Sequence, residues 1–240
     1  MSSRNLPETS DQSSAWLKGA YAIVLTILAL LIITLLGLAL GYTPIEFIGK
    51  VLNKLFAANS IQTMWYVTRA AGLTAYLLVW LSTVWGLGVS SKIFDPVLQR
   101  VFTYDFHQFL SLLAIGFIIL HIVVLAADQY LPFSIAQILV PFIAPYRPVW
   151  VGIGVFGFYL TILVSITFYI RRQIGQKTFR VIHYASFIAF AFSALHGLFA
   201  GTDSPLWMTQ AMYLVTSLTV VFLTAYRIFA SMLKGRRSLS

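Results

Sequence analysis

Residues 179–201 read FRVIHYASFIAFAFSALHGLFAG. The run is apolar and longer than the roughly 20 residues a helix needs to cross a bilayer, yet it holds two imidazoles, His183 and His196. A polar group at that depth costs free energy unless something binds it. An ionisable side chain inside a span therefore marks a functional site, and its partner must be sought elsewhere in the chain.

The remaining sequence has the composition of an integral membrane protein. Of 240 residues, 59% are hydrophobic and 10% charged, against roughly 25% charged in soluble domains. There is no cysteine, which excludes disulfides, thiolate catalysis, Cys-based zinc sites and covalent haem attachment. The net charge of +9 does not point to nucleic acid. The basic residues form short clusters beside apolar segments, where they set topology and meet anionic lipid headgroups. The opening MSSRNLPETSDQSS is polar and leads into no short apolar core with a cleavage site. Residues 1–15 are expected to be a disordered cytoplasmic tail that is retained.

Six spans are expected, at about 20–41, 64–88, 104–127, 149–170, 179–201 and 207–232. They make one all-α bundle over 16–233, followed by a basic cytoplasmic tail over 234–240. All of the 16 Lys and Arg residues except Lys50, Lys54, Arg69 and Arg147 lie in or beside the tails and the connections 90–100 and 171–180 or, as Arg227 does, in the last two turns of the sixth span. By the positive-inside rule both termini face the cytoplasm of a multi-pass cell-membrane protein. Among the outward connections, PIEFIGKVLNKLFAAN (44–59) spaces Ile45, Ile48, Leu52, Leu55 and Phe56 as one face of an interfacial helix. LPFSIAQILVPFIAPYRP (131–148) is too short and Pro-rich to span. It reads as an interfacial or re-entrant cap over the outer end.

The chain has four histidines, His107 and His121 in the third span and His183 and His196 in the fifth. Odd-numbered spans run in the same direction, so these two are parallel. His107 and His183 share the inner level, and His121 and His196 the outer. The separations of 14 and 13 residues correspond to about 21 and about 19.5 Å of helix. Two facing imidazoles form the axial field of a b-type haem, so the expectation is one haem iron on His107 and His183 and a second on His121 and His196. Fourteen residues return to within about 40° of the same helix face, whereas thirteen miss by about 140°. The fifth span then needs a bulge, a bend, or haems approached from different sides. A transition-metal site is the alternative, but it needs more ligands around one ion than the two imidazoles at each level provide.

These residues resemble the ferric reductase-like transmembrane domain shared by ferric reductases, NADPH oxidases, STEAP metalloreductases and the haem subunit of a bacterial methionine sulfoxide reductase system. The likeness covers the second to sixth spans. It is carried by YDFHQFLSLLAIGFIILHIVVL, with His107 and His121, and RVIHYASFIAFAFSALHGL, with His183 and His196. It implies two haems b held between the third and fifth spans. It extends to WYVTRAAGLTAYLLVW, where Arg69 precedes a glycine as an arginine beside the outer haem does in the oxidases. Arg69 is thus expected to bind a haem propionate or an anionic acceptor, since guanidinium holds carboxylates in a bidentate fork. The sulfoxide reductase subunit lacks a match to His107, so the likeness is nearer to the two-haem reductases.

The larger family members continue into a domain for FAD and a nicotinamide nucleotide. No Gly-x-Gly-x-x-Gly following a strand occurs here, so the electrons are expected from a separate donor, a cytoplasmic flavoprotein carrying any flavin, or membrane quinol. The expected function is transmembrane electron transfer, as an oxidoreductase or as its haem-bearing subunit. The acceptor at the outer face, such as Fe(III), O2 or a partner protein, would be reduced at the haem edge near Arg69, Asp128 and Asp203. Asp203 in GTDSP is also suited to cap the sixth span. The rivals are an assembly subunit in which haem is structural, and a His-ligated metal transporter.

Overall fold

A computed structural model of the chain describes residues 62–128 and 132–237, together with Glu46, Gly49 and Lys50. The chain divides into two compact units, Met1–Ala57 and Ala58–Ser240. In the first, the expected span over 20–41 lies outside the described residues. So does the expected interfacial helix, apart from Glu46, Gly49 and Lys50, which are helical.

In the second unit all regular structure is helical, and no strand occurs among the described residues. Its helices are α1 (Gln62–Ser90), α2 (Arg100–Ala127), α3 (Ile135–Leu139), α4 (Pro148–Tyr169), α5 (Arg171–Ile174), α6 (Gln176–His183), α7 (Ala185–Ala200) and α8 (Trp207–Arg237). Five segments are long and apolar enough to cross a membrane: α1, α2, α4, α6 with α7, and α8. They coincide with the second to sixth expected spans, and the protein is a multi-pass membrane protein.

The helices pack through small side chains and keep large apolar ones outside, as expected where lipid replaces water. Ala71, Ala75, Ala114 and Ala189 are buried, whereas Phe109, Ile166, Leu218 and Phe222 are exposed. Only a minority of the residues in each span are fully buried among the described residues. Two buried threonines return their protons to their own helix. Thr167 donates to the Val164 carbonyl at 2.9 Å and Thr216 to that of Met212 at 2.7 Å.

The closest pairings are α1 with α2 and α4 with α7. Both are antiparallel: Gly72 and Gly86 meet His121 and His107, and Gly154 and Gly157 meet His196 and Phe192. The α1–α2 turn is tied by the Asp95–Arg100 ion pair at 2.7 Å, which holds the Asp95 carboxyl below its ordinary range.

The segment expected as a cap is the short helix α3. Its capping box pairs the Ser134 side chain with the Gln137 backbone and the Gln137 side chain with the Ser134 backbone. Phe133, Ile138 and Ala144 cluster against Ile122 and Leu125 of α2 and Val151 of α4. The Arg147 guanidinium then donates to the Phe199 carbonyl at the end of α7.

The fifth span is interrupted. α6 ends at His183, and the Tyr184 N–H reaches back to both Arg180 and Val181 carbonyls at 3.2 Å. The Phe187 N–H reaches the Tyr184 carbonyl at 3.2 Å. Bonds three residues apart mark 3₁₀ winding, about 120° per residue instead of about 100°. The overwound turn recovers part of the angular deficit of a 13-residue spacing.

Candidate functional site: two histidine pairs

The four histidines form two cross-helix pairs. His107 near the start of α2 faces His183 at the end of α6, with ring centres 6.1 Å apart and planes at 78°. His121 near the end of α2 faces His196 of α7, with ring centres 6.4 Å apart and planes at 78°.

Three of the four rings share one seating. An added Cβ on Gly72 would lie 2.9 Å from His121 Nδ1, and one on Gly86 would lie 3.0 Å from the His107 ring. A Cβ on Gly154 would collide with the His196 ring. Each ring thus rests on bare backbone, and the residue four positions before the glycine meets its Nδ1. His121 Nδ1 is 2.8 Å from the Thr68 carbonyl, and His196 Nδ1 is 2.9 Å from the Trp150 carbonyl. His107 Nδ1 is 3.5 Å from the Ser82 hydroxyl.

Donor counting fixes the tautomers. A carbonyl only accepts, so His121 and His196 carry their proton on Nδ1. At His107 the argument runs through two serines. Ser111 commits its single proton to the His107 carbonyl, 2.9 Å away. Ser82 must then donate in the 2.8 Å Ser82–Ser111 bond, so its oxygen can only accept from His107 Nδ1. All three rings keep a bare Nε2, the usual state of a metal-ligating imidazole anchored by its other nitrogen. His183 differs: its Nδ1 is buried and has no hydrogen-bond partner among the described residues, and its ring lies against Phe179 with centres 5.2 Å apart.

The spacing bears directly on what each pair could hold. An imidazole nitrogen bonds a metal at about 2.0 Å, and with ~1.1 Å from nitrogen to ring centre, two rings on opposite sides of one ion stand about 6.2 Å apart. The observed 6.1 and 6.4 Å match that figure. The crossed planes are allowed because each ring can turn about its own bond. No group of three or more His, Cys, Asp or Glu suited to a metal ion occurs among the described residues. Two axial imidazoles suit a metal that brings its own equatorial donors, and a haem iron fits this donor set.

The His121–His196 pair opens on a cavity of about 240 Å3, whose lining also includes Tyr76, Asp128, Arg69 and Asp203. Arg69 Nε donates to Asp203 Oδ2 at 2.7 Å, and its guanidinium lies 4.0 Å over the Trp65 ring. Asp203 sits in the turn before α8, which begins at Trp207, and its side chain faces Arg69. Asp128, at the end of α2, is buried.

The glycine seats and the acceptors four residues earlier had not been singled out in the sequence. Their signal is present there, since Gly72 and Gly86 are separated by the same 14 residues as His107 and His121. No protein-family model, curated protein or solved structure matches this chain.

Proposed function

We propose that the protein is a transmembrane electron conduit of the ferric reductase-like cytochrome b kind, either an oxidoreductase or the haem-bearing subunit of one. The observation that carries this reading is the presence of two imidazole pairs at two levels, with ring centres 6.1 and 6.4 Å apart. When bound, two haems b would supply one-electron Fe(III)/Fe(II) couples.

The chain's own residues do the rest. His107 and His183 hold the inner level, and His121 and His196 the outer. His107 with His183 and His121 with His196 would hold the two haems, and an external acceptor would be reduced without binding to the iron. Electrons enter on the cytoplasmic side from a flavoprotein or quinol and leave at the outer face. Arg69 would serve an anionic acceptor or a haem propionate by sharing its guanidinium with Asp203.

A dithionite-reduced spectrum with the α and Soret bands of a b-type cytochrome, and a pyridine haemochrome assay giving two haems per chain, test the cofactor. Fewer than two haems overturns it. Vesicles holding ferricyanide inside and given a membrane-impermeant reductant outside test the conduit. Electron crossing supports it, whereas reduced haem without crossing leaves the haem a structural role.

A further inference from the structure

Arg147 occupies a position that its own backbone disfavours. It precedes Pro148 at the start of α4 and adopts the left-handed conformation, with φ 44° and ψ 57°. Positive φ is uncommon in a residue that carries a side chain, and a following proline disfavours helical backbone angles further. Glycine or asparagine takes such a turn more readily, yet the sequence has arginine here. Strain of this kind persists where the surroundings over-determine it, and it gathers at functional sites.

What arginine adds is reach. Its guanidinium lies 5.3 Å over the Tyr146 ring and donates to the Phe199 carbonyl, in the last turn of α7 where helical partners run out. Its own carbonyl accepts the Trp150 and Val151 N–H groups, both at 3.0 Å, and so opens α4. The Trp150 ring stacks on Phe199, with centres 4.1 Å apart and planes at 22°. The Trp150 carbonyl meanwhile holds His196 Nδ1 at 2.9 Å. Phe199 follows His196 by three residues, about one turn of α7. The contacts thus close a circuit: from Arg147 to Phe199, along α7 to His196, across to Trp150 and back to Arg147. Closure at both ends stops the last turn of α7 from rotating about its axis, and that rotation is what aims His196 at His121.

We propose that Arg147 is a positioning residue for the His121–His196 pair: its guanidinium fixes the turn of α7 that presents the His196 ring at 78° to that of His121. The clamp acts on the imidazole itself. That the imidazole serves a haem rests on the reading above.

The test uses the full chain in lipid nanodiscs with isotopically labelled histidine, reduced with dithionite so that any low-spin haem is diamagnetic, and followed by NMR. The His196 Nδ1–H resonance should be lost to exchange with water in Arg147→Gln and retained in Arg147→Lys, which keeps a donor. The His121 Nδ1–H resonance should stay in place in both. Arg147→Gly keeps the turn and removes the guanidinium, so it should also lose the His196 resonance, and it decides the matter if Arg147→Gln does not fold. A His196 resonance that survives Arg147→Gly overturns the proposal, as does equal loss at His121. In the ferric protein, crossed imidazole planes give a strongly anisotropic low-spin signal by electron paramagnetic resonance. Arg147→Gly should move one of two such signals toward the parallel-plane form, and movement of both or neither overturns the proposal. Protein that carries no haem defeats the haem reading alone, and the histidine resonances still decide the clamp.

Discussion

The glycines under the imidazoles are where single atoms decide most. At Gly72 an added methyl would lie 2.9 Å from His121 Nδ1, whereas at Gly116 nothing lies within 4 Å. Gly72→Ala should displace the ring, break its bond to the Thr68 carbonyl and destabilise the fold by about 1–3 kcal/mol. Gly116→Ala should be neutral or stabilising by up to about 1 kcal/mol. Haem content and thermal unfolding of the two variants in detergent check the contrast. Arg69 and Asp203 are coupled in the same local way. Removing either leaves the other half-buried without its counter-charge, so Arg69→Ala and Asp203→Ala should be non-additive by about 1–2 kcal/mol in a double-mutant cycle. The histidines were legible in the sequence because four of them confined to two parallel helices form a pattern. The seats were not, because a glycine in an apolar helix reads as ordinary small-residue packing until the neighbouring helix and its register are known. Asp203 was read foremost as a helix cap, since nothing local to GTDSP says that Arg69, 134 residues away, will face it.

Span positions were readable because length and apolarity suffice for them. The interior of the fifth span was not. The 13-residue spacing required some irregularity, but its place depends on which backbone bonds tighten, and apolar side chains do not encode that. The turn at Tyr184 puts His183 at the end of α6 and His196 in the body of α7. Inserting one alanine between Tyr184 and Ala185 equalises the spacing with that of α2, yet should turn His183 away by about 100° while Gly154 and Gly157 hold α7 in place. Loss of the inner haem with retention of the outer is the expected result, read from haem stoichiometry and the low-temperature α band. The α3 capping box lay in the sequence as Ser134 and Gln137, three residues apart. In a segment read as an interfacial or re-entrant cap, the pair was not singled out as the start of a helix. Ser134→Ala should cost about 1 kcal/mol, measured by thermal unfolding.

For the molecule as a whole, the proposed conduit has a direction of flow that variants can test. His196→Ala should leave an inner level that the donor still reduces, while flux to an external acceptor falls sharply. His183→Ala should prevent the donor from reducing the outer level, which lies about 20 Å further away. Stopped-flow reduction and steady-state flux distinguish these outcomes, and equal behaviour of the two variants would refute the pairing. A reporter fused after Ser240 should be active only in the cytoplasm if the basic clusters set orientation. The α1–α2 register carries one more consequence. Seats and histidines repeat every 14 residues on two helices facing opposite ways, so the interval between levels behaves as a ruler graduated in whole turns. Loops can lengthen, and surface residues can change, without altering it. To alter it, both helices must gain or lose a turn together, a step of about 5.4 Å. Because electron tunnelling weakens exponentially with distance, a conduit of the proposed kind would have its potentials retuned by degrees, whereas its gap would change only in jumps large enough to switch it off.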